Sequence, residues 1–161
     1  MASPVGMETN AEYMQVELAR YVPDAWNILA QAMPEGIAVL SAADQLPNLA
    51  TLAAVEYQYA LAWTSPSERE KSCALFDGRP LVIAKKTKKG VSNVDIAPQI
   101  LRMDITHDAL SSAVLSACLA GGESPLSPLA VCKAMEAHAC APETRRIVRT
   151  RVLDIRGEDW T

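Results

Sequence analysis

The sequence predicts an α+β fold, with a mostly antiparallel sheet that carries its helices on one face. Short segments in which apolar and polar residues alternate recur along the chain. Only some of them are separated by segments with the three- and four-residue apolar spacing of a helix. From residue 55 onward the predicted order is strand, helix, strand, strand, strand, helix, strand. This order is close to the split β-α-β arrangement of a ferredoxin-like unit with one extra strand.

Residues 1–46 are predicted to form the C-terminal half of a truncated ferredoxin-like unit, which precedes the main unit at residues 47–161. Residues 13–18 alternate with the period of a half-buried strand, residues 22–33 have helical apolar spacing, and residues 37–40 are a short apolar run. A strand, a helix and a strand make half of such a unit. We therefore expect the first strand to lie at a sheet edge or to leave apolar surface uncovered.

Five segments of the main unit are predicted to join a single, mostly antiparallel sheet, because each has strand-like patterning. They are residues 57–63, 81–86, 101–105, 113–119 and 147–153. The sequence Thr106-His107-Asp108 is interpreted as the hairpin turn between the third and fourth segments. Single helical turns are expected within residues 44–52 and 95–100.

Two helices of the main unit have recognisable signals. Ser65 is a predicted N-cap, Pro66 takes the first helical position, and Glu68 lies three residues beyond the cap. This helix is expected to end near residues 77–78. A second helix is predicted further along, with Leu129, Cys132, Met135 and His138 on one face.

Composition limits the classes of protein to consider. Half of the 161 residues are apolar, 21% are charged and the net charge is -4, which suits a compact chain rather than a disordered one. The sequence contains no run of about eighteen apolar residues, and its first residues lack the pattern of a signal peptide. We therefore expect a cytoplasmic protein without a membrane partner. The cysteines are widely spaced and are expected to be reduced; they are Cys73, Cys118, Cys132 and Cys140.

Several consecutive landmarks resemble a known family. Residues 3–8 read SPVGME and are followed by Glu12-Tyr13, and residues 33–37 read MPEGI. Further along, KKTKKG at residues 85–90, VDIAP at 94–98 and IVRTR at 147–151 follow in the same order. The order and spacing are similar to those of the uncharacterised radical SAM-linked domain, a domain of unknown function that is fused to or encoded beside radical SAM proteins.

The resemblance implies a bacterial accessory domain that works beside radical SAM chemistry. That family begins with a further strand, helix and strand, which carry a histidine- and arginine-rich stretch and a glycine-phenylalanine-proline turn. This sequence has no counterpart of them. Any function located in that part is therefore not expected of this chain, and the resemblance names no substrate.

No complete catalytic or metal-binding motif is recognisable. A radical SAM cluster needs three closely spaced thiolates, and Cys132, His138 and Cys140 match neither that pattern nor a zinc ribbon. His107 is assigned to a turn rather than to a pair of nucleophile and base. We therefore predict no catalytic residue, no bound metal and no cofactor in this chain.

The lysine cluster is the strongest candidate for a functional surface. Lys85, Lys86, Lys88 and Lys89 flank a turn that Gly90 can close. Clustered cations of this kind contact the phosphates of nucleic acid and position it without reading its sequence. The alternative is a solvated hairpin tip that binds nothing.

Two arginines complete the predicted nucleic-acid surface. Arg149 and Arg151 are separated by one residue of a predicted strand, so both side chains are expected on one face of the sheet. The nucleic-acid interpretation gains if that face adjoins the lysine cluster and fails if the two are opposed. Tyr57, Tyr59 and Trp63 could stack bases, although aromatic residues on one shared face are also typical of a core.

The sequence thus predicts a noncatalytic accessory domain of a radical SAM system that presents an RNA substrate to its partner enzyme. The expected partners are a radical SAM protein and RNA. Two alternatives stay open, namely an enzyme of RNA modification and a protein-interaction module without nucleic acid.

Overall fold

The computed structural model describes residues 7–43, 48–87, 90–109, 112–138 and 141–160. Its strands are β1 (Glu8–Thr9), β2 (Leu52–Ala62), β3 (Val82–Thr87), β4 (Gly90–Asp95), β5 (Ile100–Ala109), β6 (Ser112–Ala120) and β7 (Glu143–Asp154). Its helices are α1 (Ala25–Ala32), α2 (Pro66–Ala74) and α3 (Pro128–Ala137), and the predicted helical turns are 3-10 turns at Leu49–Thr51 and Ala97–Gln99. No helix in the described part of the chain is long and apolar enough to cross a membrane.

The main sheet has five strands in the order β1-β7-β2-β6-β5. β2 pairs antiparallel with both β7 and β6, and β5 pairs antiparallel with β6. β2 and β5 are therefore parallel with β6 between them, and β6 and β7 are parallel with β2 between them. Each β-α-β unit is thus split by a strand of the other, which confirms the predicted α+β class and its ferredoxin-like order.

The core lies on one face of this sheet, where α3 contributes buried side chains such as Val131 and Met135, whereas no residue of α1 is buried. Two polar groups buried at this face have hydrogen-bond partners. The Tyr59 hydroxyl donates to the Pro128 carbonyl at 3.2 Å, and Trp63 Nε1 donates to Ser72 Oγ at 2.8 Å. On β2 the inward side chains are at most 2% exposed; they are Val55, Tyr57, Tyr59 and Leu61.

Helix α2 begins as the sequence predicts. Ser65 Oγ accepts a hydrogen bond from the Glu68 backbone N–H at 3.3 Å, and Pro66 takes the first helical position. The Glu68 carboxylate accepts hydrogen bonds from the hydroxyl of Thr64 at 2.6 Å and from its backbone N–H at 3.2 Å. These hydrogen bonds, the hydroxyl bond first, lower the pKa of Glu68. The start of α2 is therefore held by reciprocal side-chain caps.

The prediction that residues 81–86 join the main sheet is wrong. Residues 81–86 do form a strand, but β3 pairs only with β4 in a separate two-stranded sheet and does not join the main sheet. The sequence prediction overlooked β4 because Gly90–Asp95 is polar and its side chains are mostly exposed, so it lacks an apolar alternation. The other four segments lie in the main sheet as predicted.

Residues 7–13 form a strap along the edge of the main sheet. β1 pairs in parallel with β7, and the Asn10 backbone N–H donates to the Arg149 carbonyl at 2.9 Å. Arg146 donates two hydrogen bonds to the Glu8 carboxylate, and this interaction lowers the pKa of Glu8. The Tyr13 ring is edge-on to Trp160, with 4.9 Å between ring centroids. The strap therefore covers the β7 edge with both backbone and side-chain contacts.

Residues 14–43, which we call the arm, contain only the helix of the predicted strand, helix and strand. Helix α1 begins at residue 25 because Pro23 and Asp24, with a φ of 56°, form a turn before it. Residues 13–18 and 37–40 have no sheet partner in the described part of the chain, so both strand predictions are wrong. A strand needs a neighbour to bond its backbone groups. The predicted uncovered apolar surface is confirmed: Met14, Val16, Leu18, Tyr21, Trp26, Ile28, Ile37 and Leu40 are 43% to 87% exposed.

Candidate functional site

The hairpin β3-β4 contains the predicted lysine cluster. Consecutive residues of both strands near its tip, 84–86 and 90–93, are exposed. Because consecutive strand residues point to opposite faces, both faces of the outer hairpin are open to solvent. Lys85 and Lys86 are exposed in this part. The other two predicted residues, Lys88 and Lys89, lie outside the described residues.

The base of this hairpin is anchored in the core. Leu81 just before β3, Ile83 within β3 and Ile96 just after β4 belong to the same buried cluster as the inward face of β2. The Asp95 carboxylate accepts hydrogen bonds from the backbone N–H groups of Leu81 at 2.8 Å and Ala97 at 3.0 Å. The hairpin is therefore fixed at its base on the helix side of the main sheet, while its lysine-bearing end is solvated.

The two predicted arginines lie on opposite faces of the sheet, which corrects the expectation that they share one. Between β2 and β7 the register passes from Glu56 opposite Arg151 directly to Tyr57 opposite Arg149. Two residues of β7 therefore correspond to one step of β2, which is a β-bulge with Thr150 as the extra residue. Because of this extra residue, the side chains of Arg149 and Arg151 point to opposite faces of the sheet. Arg149 lies on the same face as Tyr57, and Arg151 lies on the same face as Glu56.

Arg149 is a buried residue, with only 2% of its side chain exposed. Its Nη1 donates to the Glu12 carboxylate at 2.9 Å, and its guanidinium lies 5.9 Å from the centroid of the Tyr57 ring. A cation buried in this way is stabilised by a paired carboxylate and by the ring face. Arg149 therefore holds the strap to the core and is not placed to contact an external phosphate.

Arg151 belongs to a ladder of charges across the outer face. Its guanidinium contacts Asp159 at 2.7 Å and Glu56 at 3.7 Å, and Glu56 also accepts a hydrogen bond from Arg102 at 2.7 Å. Arg102 in turn lies 3.6 Å from Asp104. Each cation of this ladder is flanked by carboxylates, so an approaching phosphate would meet negative charge as well as positive.

The lysines and Arg151 consequently do not form one surface. The hairpin rises from the helix side of the main sheet, whereas Arg151 lies on the outer face with Glu56. The combined surface that the sequence suggested is therefore not assembled. The nucleic-acid interpretation, which required the arginine face to adjoin the lysine cluster, fails for the combined surface of lysines and arginines. Nucleic-acid binding by the lysine hairpin alone stays a prediction.

A shallow depression of about 150 Å³ lies on the outer face beside this ladder, and Cys118 is one of the residues that line it. Burial raises the pKa of the Cys118 thiol, and the nearby Glu56 carboxylate acts in the same direction. A thiol with a raised pKa is protonated at neutral pH and is a poor nucleophile. The depression is lined by Glu56, Tyr57, Gln58, Arg102, Ser116, Ala117, Cys118 and Thr150.

The other candidate residues have structural positions. Cys132 is half-buried and packs against the core, and burial raises the pKa of its thiol. His138 caps the end of α3. His107 lies within β5 rather than in a turn, so that interpretation is wrong: the strand continues to Ala109. Cys140 lies outside the described residues, and within the described ranges no three potential metal ligands come together.

The three aromatic residues proposed for base stacking are core residues. Tyr57, Tyr59 and Trp63 are at most 5% exposed, so their ring faces are not available to an external base. Sequence reasoning also missed Glu12 as the partner of Arg149. The two residues are 137 positions apart, and no local pattern links them.

Comparison with known proteins places most of the chain in a bacterial family. A family described as an uncharacterized protein conserved in bacteria (DUF2344) matches residues 1–128. No curated protein and no solved structure matches the chain. The match spans most of the chain, from the strap to the first residue of α3. The resemblance to a bacterial domain of unknown function is thereby confirmed, whereas its association with radical SAM proteins stays a prediction. The chain belongs to the bacterial DUF2344 family.

Proposed function

We propose that this chain is a noncatalytic accessory domain that presents RNA to a radical SAM protein, with the hairpin β3-β4 as its RNA contact. The observation that carries the RNA part is the solvated hairpin end, where Lys85 and Lys86 are exposed. A narrow basic hairpin can follow a phosphate backbone without reading bases. Lys88 and Lys89 lie between these two strands in the sequence and add two further positive charges.

The accessory role is supported by the chemistry of the described residues. The buried thiol of Cys118 and the half-buried thiol of Cys132 have raised pKa values, so neither is a ready nucleophile at neutral pH. The Asp95 carboxylate is occupied by two backbone N–H groups. A domain of this kind contributes binding, and the reaction itself belongs to the partner enzyme.

The RNA contact is tested by matched lysine substitutions. The double variant Lys85→Gln, Lys86→Gln should weaken binding of a fluorescein-labelled single-stranded RNA, measured by anisotropy at low salt. The slope of log affinity against log salt should become shallower by about 0.7 for each phosphate that the variant no longer neutralises. The control variant Lys71→Gln, Lys133→Gln removes the same charge from exposed positions on α2 and α3 and should keep the slope.

Two results would overturn the RNA contact. One is the absence of RNA binding by the unaltered chain at low salt. The other is an equal loss of affinity in both double variants, because that would indicate an effect of net charge rather than of the hairpin. Further substitution of Lys88 and Lys89 by glutamine should make the slope shallower again if the whole tip contributes.

The radical SAM partner is tested separately. The purified chain would be titrated with the radical SAM protein encoded nearest to it, and binding would be measured by calorimetry with and without RNA. A complex that binds RNA more tightly than either protein alone supports presentation of RNA. Failure of the two proteins to bind each other would remove the radical SAM part of the proposal and leave the hairpin result intact.

A second candidate function is a protein-interaction module without nucleic acid. It is favoured by the arm, where large apolar side chains are exposed along residues 14–40. Contiguous exposed apolar surface commonly marks an interaction site. This candidate predicts that the lysine variants leave the physiological complex unchanged, whereas polar substitutions in the arm abolish it.

A further inference from the structure

The last residue of the strap and the first part of the arm, residues 13–20, have the sequence pattern of a strand but belong to no sheet in the described part of the chain. Residues 13–20 are all exposed, and within the described part of the chain no backbone-to-backbone hydrogen bond involves them. Met14, Val16 and Leu18 alternate with the polar residues Gln15 and Glu17. An exposed segment of alternating pattern with unpaired backbone groups is a template for pairing with another strand.

We propose that this segment pairs antiparallel with the same segment of a second copy of the chain, in the register that places Val16 opposite Val16. This inference goes beyond RNA presentation and does not depend on it. In this register Met14 is opposite Leu18, so the apolar side chains of both copies share one face of the ribbon. Glu12 is opposite Arg20. Its carboxylate already accepts a hydrogen bond from Arg149 of its own chain through Oε2, but it is 36% exposed, so it can face the second positive charge of Arg20 at both ends.

Charge and pattern select this register over its neighbours. Moving the two-fold centre to Glu17 would place two carboxylates directly opposite each other. Moving it to Gln15 would place the Glu12 carboxylate opposite Leu18. A slip by one residue would turn the apolar faces of the two strands to opposite sides of the ribbon. Only the register centred on Val16 joins matching faces with complementary ends.

Helix α1 supplies the cover that a two-stranded ribbon needs. Such a ribbon is marginal in water unless a helix or further strands pack on its apolar face. α1 follows the segment after a short turn, none of its residues is buried, and Trp26 and Ile28 are 51% and 55% exposed. Two copies would thus bring two strands and two uncovered helices to one interface.

The oligomeric state tests the inference directly. Light scattering after gel filtration should give about twice the chain mass of 17.4 kDa for the unaltered chain. Val16→Lys places two ammonium groups at the centre of the ribbon and should return the mass to that of one chain. Val91→Lys is the matched control, because Val91 is an exposed valine on the hairpin, and it should keep the dimer.

Cross-linking tests the register. The Cβ atoms of directly opposite residues lie about 5 Å apart, so Val16→Cys should form a disulfide-linked dimer on mild oxidation. Val91→Cys should not cross-link above the level of the unaltered chain, which already contains free cysteines such as Cys73.

Each contrary result has a defined meaning. A single-chain mass at all concentrations overturns the inference, as does a dimer that survives Val16→Lys. A dimer that Val16→Lys disrupts but Val16→Cys does not cross-link overturns the register. RNA binding distinguishes this inference from the proposed function. Val16→Lys should leave the slope of log RNA affinity against log salt unchanged, because the lysine hairpin sets that slope.

Discussion

We predict that Arg149 and Glu12 stabilise the fold as a pair, so that the effect of replacing one depends on the presence of the other. A double-mutant cycle can measure this interaction energy. Glu12→Gln keeps the size of the side chain but removes the charge that neutralises Arg149. Arg149→Met removes the cation and leaves an unbranched apolar side chain against Tyr57. The two single variants and the double variant together isolate the pairwise contribution to the free energy of unfolding.

The expected magnitude follows from the burial of the two partners. Removing one member of a fully buried pair costs about 3 to 5 kcal/mol. Here Arg149 is 2% exposed but Glu12 is 36% exposed, so solvent screens the carboxylate and the cost is reduced. We expect Glu12→Gln to destabilise the chain by about 2 kcal/mol, the range of a hydrogen bond to a charged group. Arg149→Met should cost less, because the freed carboxylate can be hydrated.

Urea denaturation followed by circular dichroism gives the free energies of unfolding for the four proteins. In the Arg149→Met background, Glu12→Gln should have almost no effect, so the coupling should equal most of the roughly 2 kcal/mol expected for the single variant. For a chain of this length the single variant should melt roughly 4 to 8 °C lower. If Glu12→Gln lowers the free energy of unfolding as much in the Arg149→Met background as in the unaltered chain, the ion pair is not what holds the strap.

Two further changes test contacts elsewhere in the fold. Ser72→Ala should cost about 1 to 3 kcal/mol, measured by urea denaturation, because Trp63 Nε1 loses its buried acceptor at 2.8 Å; an unchanged midpoint would contradict this. Gly122→Ala should destabilise more than Gly157→Ala. Both glycines have positive φ, at +65° and +80°, but a Cβ at residue 122 would lie 2.8 Å from the Leu52 carbonyl oxygen and one at residue 157 would meet nothing. Equal melting temperatures of the two variants would refute the steric argument.

The long strands and capped helices could be predicted because their signals are local. The predicted alternation over residues 57–63 matches the burial of these residues one by one, and Ser65 and Pro66 mark the start of α2. Membership of the sheet is not a local property. Residues 81–86 have the pattern of a strand, but whether β3 joins the main sheet depends on β4, whose polar sequence gives no apolar period.

The candidate surface was harder to predict for a related reason. Placing Arg149 and Arg151 on one face assumed an unbroken alternation, and one extra residue, Thr150, reverses it. A bulge depends on the register between two strands and not on the residues of one strand. The exposure of Lys85 and Lys86, by contrast, could be expected because charged residues beside a turn rarely become buried.

The position of β7 in the sheet has a consequence for the order of folding. β7 follows the other described strands of the main sheet in the sequence, yet it lies between β1 and β2 and is paired with both. Until residue 154 has left the ribosome, the long edge of β2 stays open and the strap has no strand to join. Pairing between segments so distant in sequence is slow, because the chain must close a long loop before any pairing can stabilise it. The nascent chain should therefore need protection from aggregation until β7 is in place.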